Sequence, residues 1–195
     1  MTHHHNHGHS FDPENWRKLE SEERRERMNP GKLAQAMGLK GNEVVLDIGV
    51  GTGFFATEVA PLCARLIGVD HSSRMLDIFR SKEIFPKLAN VELMEGKAEN
   101  LPVPPASVDV VFHVNLFHEV EDMEAFHAGI KRALKPAGRL FMVDWHARPT
   151  QGGPPPEHRI PEEKAMALLE RYGFQNIRKL NLYQDHYAFS AEIPR

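Results

Sequence analysis

The sequence predicts an α/β fold: a three-layer sandwich around a mostly parallel sheet of seven strands, closed by an antiparallel C-terminal hairpin strand. Three observations carry that prediction. Short apolar runs alternate with amphipathic helical stretches from residue 44 onward, the order that builds a parallel sheet with helices on both faces. The first run, Val44-Val45-Leu46-Asp47-Ile48, passes directly into Gly49-Val50-Gly51-Thr52-Gly53 and then a helix. Glycine lets the backbone approach a ligand there, and free N–H groups gather at the helix start. The last two runs are joined only by Tyr183-Gln184-Asp185, too short for a helical crossover, so they must pair antiparallel.

The elements follow in order. Residues 1–10 form a His-rich tail with His3, His4, His5, His7 and His9. It reads either as an affinity tag or as natural sequence; Asn6 and Gly8 interrupt it and no linker follows, which favours the second. Clustered imidazoles bind Zn²⁺ or Ni²⁺ either way, so these five are metal ligands only if the tail is functional. Residues 11–40 are expected to form a helical cap. Asp12-Pro13 starts a helix running to Met28, charged and anchored only by Trp16, Leu19 and Met28, as suits a segment lying over a surface or cleft. Asn29-Pro30 opens a second helix that Gly38 ends.

Residues 41–195 form the main domain. After the first strand comes a helix over 54–62, ended by Pro61. Arg65–Asp70 is the second strand, and a helix starts at Ser72-Ser73. Val91–Glu95 and Val108–Val114 are the third and fourth strands. Asp122 caps a helix to Leu134, stopped by Lys135-Pro136-Ala137-Gly138, before a fifth strand over 139–144. Residues 152–156, Gly-Gly-Pro-Pro-Pro, suit neither helix nor strand and read as a lid with glycine hinges. A helix from Pro161 to Arg171 precedes strands over 177–182 and 186–193. With the first strand at the switch point, the loops after the strands share one rim, where such sheets bind ligands.

Composition excludes several classes. A net charge of -3 and a pI near 6.5 leave no footprint for nucleic acid or an anionic membrane. The single cysteine, Cys63, excludes an intrachain disulfide framework and a CxxC zinc site. No apolar run nears the roughly 20 residues of a membrane span, and no cationic, apolar leader opens the chain, so a cytoplasmic location is expected.

The glycine turn decides between nucleotides. A dinucleotide fingerprint needs glycine at position 54, where Phe54 stands. Asp47-Ile48-Gly49-Val50-Gly51-Thr52-Gly53 instead resembles the first motif of class I S-adenosylmethionine (SAM) methyltransferases, which implies that Asp47, Gly49, Gly51 and Gly53 hold the methionine part of the cofactor. Further motifs extend the resemblance. Val69-Asp70-His71-Ser72-Ser73-Arg74-Met75-Leu76 is similar to V-D-x-S-x-x-M-L, implying Asp70 on the ribose hydroxyls with His71 and Met75 flanking the adenine. Asp70 also lies 23 residues after Asp47, near the roughly 20 expected of a ribose-binding carboxylate. Residues 96–102 are similar to G-D-A-E-x-L-P, implying that Ala98 and Glu99 read the adenine edge, with Lys97 where Asp is common. Val108-Asp109-Val110-Val111 and Leu134-Lys135-Pro136-Ala137-Gly138-Arg139-Leu140 complete the set, and Asn115, on the rim, joins the cofactor residues. Over residues 30–195 the chain resembles a small Rossmann-like methyltransferase of the ubiquinone/menaquinone-biosynthesis-like (type 11) group. Phe117-His118-Glu119, Asp144-Trp145 and Gly153-Pro154-Pro155-Pro156-Glu157 bring it closest to short uncharacterised prokaryotic members.

The resemblance implies methyl transfer from SAM, leaving S-adenosylhomocysteine (SAH), to oxygen, sulfur or an acidic carbon of a small molecule. Candidate bases on the rim are His118, Glu119, Asp144 and His146, with His118 favoured because a pKa of about 6.5 suits proton removal near neutrality. The bland readings are that His118 and Glu119 position the next helix, that Asp144 binds backbone N–H groups, and that His146 is a loop residue. Phe11, Trp16, Leu116, Phe117 and Trp145 would supply an apolar acceptor wall. No [DN]-P-P-[YF] motif follows the fourth strand, which argues against nucleic-acid acceptors. The partners expected are therefore a small-molecule acceptor, no nucleic acid and no membrane, with room for a homodimer. The alternative reading is a non-catalytic SAM-binding or metal-linked regulatory protein. An NAD-dependent oxidoreductase is disfavoured by Phe54 and the terminal hairpin.

Overall fold

The computed structural model describes residues 12–194. Its strands are β1 (Val44–Ile48), β2 (Arg65–Asp70), β3 (Val91–Glu95), β4 (Val108–Val114), β5 (Leu134–Trp145), β6 (Gln175–Lys179) and β7 (His186–Glu192). They form one sheet in the order β3-β2-β1-β4-β5-β7-β6. The first five run parallel, and β7 is antiparallel to both β5 and β6. The chain goes outward from β1 to β3, then returns to the other side of β1 with β4. The switch point therefore lies between β1 and β4, and the ligand crevice opens at their C-terminal ends.

Why the central strands are apolar on both faces follows from the two cores they serve. Successive side chains of a strand point to opposite faces. Val45, Val110 and Phe112 join Leu33 and Met37 of α2 (Pro30–Met37), Val59 of α3 (Ala56–Val59) and Phe79 of α4 (Ser73–Arg80). Leu46, Ile48 and Val111 join Phe126 and Ile130 of α5 (Met123–Ala133) and Leu169 of α6 (Glu162–Arg171). Burying each such side chain contributes about 1.5–3 kcal/mol. Caps set the helix starts: the side chains of Asn29, Ser72 and Asp122 accept from the N–H groups of Gly31, Met75 and Ala125. Gly38, at φ 55°, ends α2 in the left-handed conformation that glycine permits.

Several boundaries differ from expectation. The first helix is two pieces, a 3₁₀ helix over Pro13–Glu20 and α1 (Glu22–Arg27). Ser21 breaks it because its hydroxyl accepts from the Arg24 N–H and caps α1. The helix after the glycine turn is α-helical only over Ala56–Val59 and tightens to 3₁₀ at Pro61, which lacks an N–H. β5 begins at Leu134, which pairs with Val108 before a register shift carries the chain on to Arg139. β6 lies earlier than the expected 177–182: Asn176, at φ 51°, bulges the edge. Beyond it, Leu180, Leu182 and Tyr183 leave the strand to pack on the first core.

The N-terminal elements lie against the glycine turn. Glu20 accepts from the Thr52 hydroxyl and pairs with Lys82 at 2.6 Å, and Glu14 pairs with Arg74. Arg24 stacks over Phe54 at 4.4 Å. The five tail histidines and Phe11 fall outside the described residues. Among the described residues no group of three or more His, Cys, Asp or Glu is arranged to hold a metal, and no helix is long and apolar enough to cross a membrane.

Candidate active site

A cavity of about 1500 Å³ runs along the C-terminal ends of β1, β2, β4 and β5, roofed by α1 and by residues 149–154. Ligand pockets commonly hold about 300–1000 Å³. This one has room for two ligands side by side.

The first half is built by the turn after β1. The N–H groups of Gly49 and Val50 both donate to the Val69 carbonyl, at 2.8 and 3.0 Å, strapping the turn to the end of β2. Gly53 has φ 78°, and a Cβ there would lie 2.4 Å from the Phe79 ring. Only glycine fits that approach. Gly51, at φ 53°, donates its N–H to Asp70 Oδ2 at 2.8 Å, while Asp70 Oδ1 accepts from Ser72 N–H at 2.9 Å. Asp47 is 3% exposed on the cavity wall. Burial, and then the nearby charge of Asp70, push its carboxyl well above the usual range. Met75 is buried against Gly51, and His71 is largely exposed, with Nδ1 3.7 Å from Asp70 Oδ1.

Asn115 stands where the two halves meet. It adopts φ 55°, a conformation Asn tolerates better than most residues, and its N–H donates to the Val143 carbonyl at 2.9 Å. Its side-chain Oδ1 is buried without a partner. Ala98 and Glu99 are not among the residues lining the cavity; Ala98 instead packs against the second core.

The second half centres on His118, which lines the cavity from the short 3₁₀ turn Phe117–Glu119 after β4. Its Nδ1 lies 2.8 Å from Asp144 Oδ1. Asp144, fully buried on β5, also accepts from the N–H of His118 at 3.1 Å and of Trp145 at 2.7 Å. With a carboxylate facing Nδ1, the network assigns the proton to that nitrogen and leaves Nε2 as the lone-pair site, 3.8 Å from Glu119 Oε1. Burial lowers the His118 pKa, but the hydrogen bond and charge of Asp144, with the charge of Glu119, outweigh it and raise the pKa above 6.5.

His146 does not belong to this group. It faces Glu162 of α6 at 3.5 Å, outside the cavity lining, and burial lowers its pKa. Of the expected apolar wall, Leu116 and Trp145 line the cavity. Phe117 is fully buried in the second core, and Trp16 lies against Arg17 at 4.8 Å outside the lining. The expected hinged lid is instead clamped. Arg159 donates to the carbonyls of Pro154, His146, Arg148 and Gly152 at 2.8–3.0 Å, and its guanidinium covers the Trp145 ring at 4.9 Å.

Two wall residues, Arg27 and His186, and the arginine that clamps the loop from behind the lining, Arg159, went unread in the sequence. His186 pairs in register with Trp145 across β5 and β7, with ring centroids 3.9 Å apart. It is 4% exposed, and neither ring nitrogen has a partner. Burial presses its pKa to about 3, so it is a neutral imidazole. Its place as the first residue of the last strand was a signal, but only the pairing register puts it beside Trp145.

Comparison with known proteins agrees with this layout. The family described as a methyltransferase domain (type 11) matches residues 46–142. The crystal structure of a SAM-dependent methyltransferase from Aquifex aeolicus is similar with a TM-score of 0.87 and 28% identity, covering 94% of this chain and 100% of that one. The uncharacterized methyltransferase YcgJ of Bacillus subtilis is 28% identical over 161 residues, 83% of this chain and 60% of that protein. A demethylmenaquinone methyltransferase of Tropheryma whipplei is 34% identical over 111 residues, 56% of this chain and 44% of that protein. The chain thus spans about half the length of these curated relatives. Motifs, sheet order and similarity agree: the chain belongs to the class I SAM-dependent methyltransferases, with a type 11 methyltransferase domain.

Proposed function

We propose that this chain transfers a methyl group from SAM to oxygen, sulfur or an acidic carbon of a small molecule, with His118 as general base. The observation that supports it most is the His118–Asp144 pair, set in the wall of the same cavity as the glycine turn.

The residues present suit the cofactor. Asp47 is a buried carboxyl that a cationic ligand would draw into its charged form, and the glycine turn leaves space that any Cβ would narrow. Asp47 and the turn's backbone would hold the methionine part. Asp70, whose oxygens keep lone pairs beyond their two N–H partners, would take the ribose hydroxyls. His71 and Met75 would flank the adenine, and Asn115 Oδ1 would gain the partner it lacks. Ala98 and Glu99 stand behind the lining, so an adenine-edge role for them requires the loop over 96–102 to approach the ligand. When bound, SAM supplies an activated methyl on a sulfonium and leaves as SAH.

The chain's own part is orientation and proton removal. His118 Nε2 takes the acceptor's proton. Asp144 keeps Nδ1–H in place and stabilises the imidazolium that results, and Glu119 adds a second negative charge. A positioned base of this kind contributes about 10²–10⁴-fold. The roof and Trp145 keep water from the reacting face.

The test is an acceptor screen that reads SAH formation. Once a substrate is found, His118→Ala should lower turnover at least ~100-fold while SAM affinity is unchanged. Wild-type turnover by that variant would remove His118 from the mechanism. SAM binding with no turnover across the screen would favour the non-catalytic reading.

A further inference from the structure

The wall of the acceptor half is more polar than an apolar acceptor requires. Arg27, on α1, lines the cavity, and its Nε and Nη1 are buried with no hydrogen-bond partner. Only Nη2 has an ionic neighbour, Glu23 Oε1 at 3.7 Å, and Glu23 is mostly exposed. An Arg guanidinium is always charged and presents five N–H donors, one on Nε and two on each Nη, so leaving the three on Nε and Nη1 buried and unmet is unfavourable. The neighbouring Arg24 differs: it donates to the Leu19 carbonyl at 2.7 Å and packs on Phe54.

Arg27 is also held in place. Its Nη1 lies 3.4 Å from the position a Cβ on Gly152 would take, so its guanidinium rests on the residue whose carbonyl Arg159 clamps. Gly153 packs on Trp145, and Trp145 on His186. Arg27, the clamped loop, Trp145 and His186 therefore form one continuous wall, which ends beside Trp145's neighbour Asp144 and so at His118. Unmet donors sit at its first member and unmet ring nitrogens at its last.

We infer that the acceptor carries an anionic group, a carboxylate or a phosphate, which Arg27 holds while the methyl-accepting atom faces His118. This rests on the methyl-transfer reading above and narrows its substrate class. Arg27 is a binding residue that fixes the acceptor's orientation; His186 offers a neutral donor and acceptor to the remainder of the molecule.

The test is calorimetric titration of the SAH-loaded protein with benzoate, with its neutral near-isostere benzamide, and with inorganic phosphate. Benzoate or phosphate should bind, and benzoate at least ~10-fold more tightly than benzamide. Arg27→Met should abolish that preference without changing SAH affinity, and Arg27→Lys should keep part of it. Equal affinity for benzoate and benzamide overturns the proposal, as does a preference that survives Arg27→Met, or binding of neither anion. Failure of SAH itself to bind would instead sink the methyl-transfer reading, and the dependence on Arg27 would then be read with the same probes on the free protein. Should Arg27→Met not fold, Arg27→Lys and Arg27→Gln carry the comparison.

Discussion

Replacing Asp144 by asparagine isolates the bond on which the active-site reading depends. The carboxylate accepts three N–H groups: His118 Nδ1, His118 backbone and Trp145 backbone. Asparagine keeps one carbonyl oxygen and turns an NH₂ toward donors, so at least one buried N–H loses its partner. An unmet buried donor costs about 1–3 kcal/mol and a broken buried pair about 3–5, so a loss of about 2–4 kcal/mol is expected. For a chain of this size that lowers Tm on the order of 10 °C. The pH dependence is more diagnostic. The native pKa of His118 lies above its unfolded value of about 6.5. The pair's contribution is therefore complete below that value and is lost as pH rises through the native pKa. In the variant the ring keeps its burial and the charge of Glu119 but loses the charge and hydrogen bond of Asp144, so its pKa falls from the native value. The stability gap between wild type and Asp144→Asn should thus be wider near pH 6 than near pH 9. Denaturant unfolding at both pH values measures the gap, and the His118 ring-proton shift followed by NMR reports the pKa itself. His113 and His186, pressed to about 3 by burial, stay neutral throughout this window. A pH-independent gap, or a His118 pKa unmoved by the substitution, would refute the reasoning.

Two further outcomes follow from the cofactor half. The Asp47 carboxyl is raised in the folded protein, so its charged form opposes folding once pH exceeds the unfolded value of about 3.9, a penalty still present at neutrality. Asp47→Asn should therefore raise the melting temperature of the free protein near pH 7, an advantage that fades toward pH 4, while calorimetry shows weakened SAM binding; a lower melting temperature at neutral pH would contradict this. Gly53→Ala places a methyl 2.4 Å from the buried Phe79 ring at φ 78°, and should cost about 2–4 kcal/mol in denaturant unfolding; a cost under about 1 kcal/mol would mean the turn can shift aside.

What the sequence disclosed was whatever is local. The strand, the glycine turn and Asp70 are read from consecutive residues, because the apolar run, the missing Cβ atoms and the cap at Ser72 all act within a few positions. His118 and Asp144 were each visible as polar groups on the rim. Their 2.8 Å bond was not, since it depends on β4 and β5 lying side by side in register. His186 was hidden for the same reason one strand further out. Arg159 and Arg27 were hidden because an arginine's partners are chosen by where its long side chain ends. The misplaced β6 reflects an edge strand with one half-buried apolar residue, Ile177, where Leu180, Leu182 and Tyr183 gain more by packing under the sheet. The N-terminal break was legible in principle, because Ser21 stands where a serine caps a helix three residues on.

The two sides of the cavity roof are fastened by different forces. The stretch over 146–154 is held by four guanidinium–carbonyl bonds from a buried arginine, two of them to Gly152 and Pro154, which added salt barely touches. The segment over 13–27 is held largely by ion pairs at or near the surface: Glu14 with Arg74, Glu20 with Lys82 and Arg25 with Glu58. The two exposed pairs, Glu14 with Arg74 and Arg25 with Glu58, contribute about 0–1 kcal/mol each and weaken as ionic strength rises, whereas Glu20 with Lys82 is largely shielded. Raised ionic strength should therefore loosen residues 13–27 before it loosens residues 146–154, a difference that hydrogen exchange at low and high salt would read.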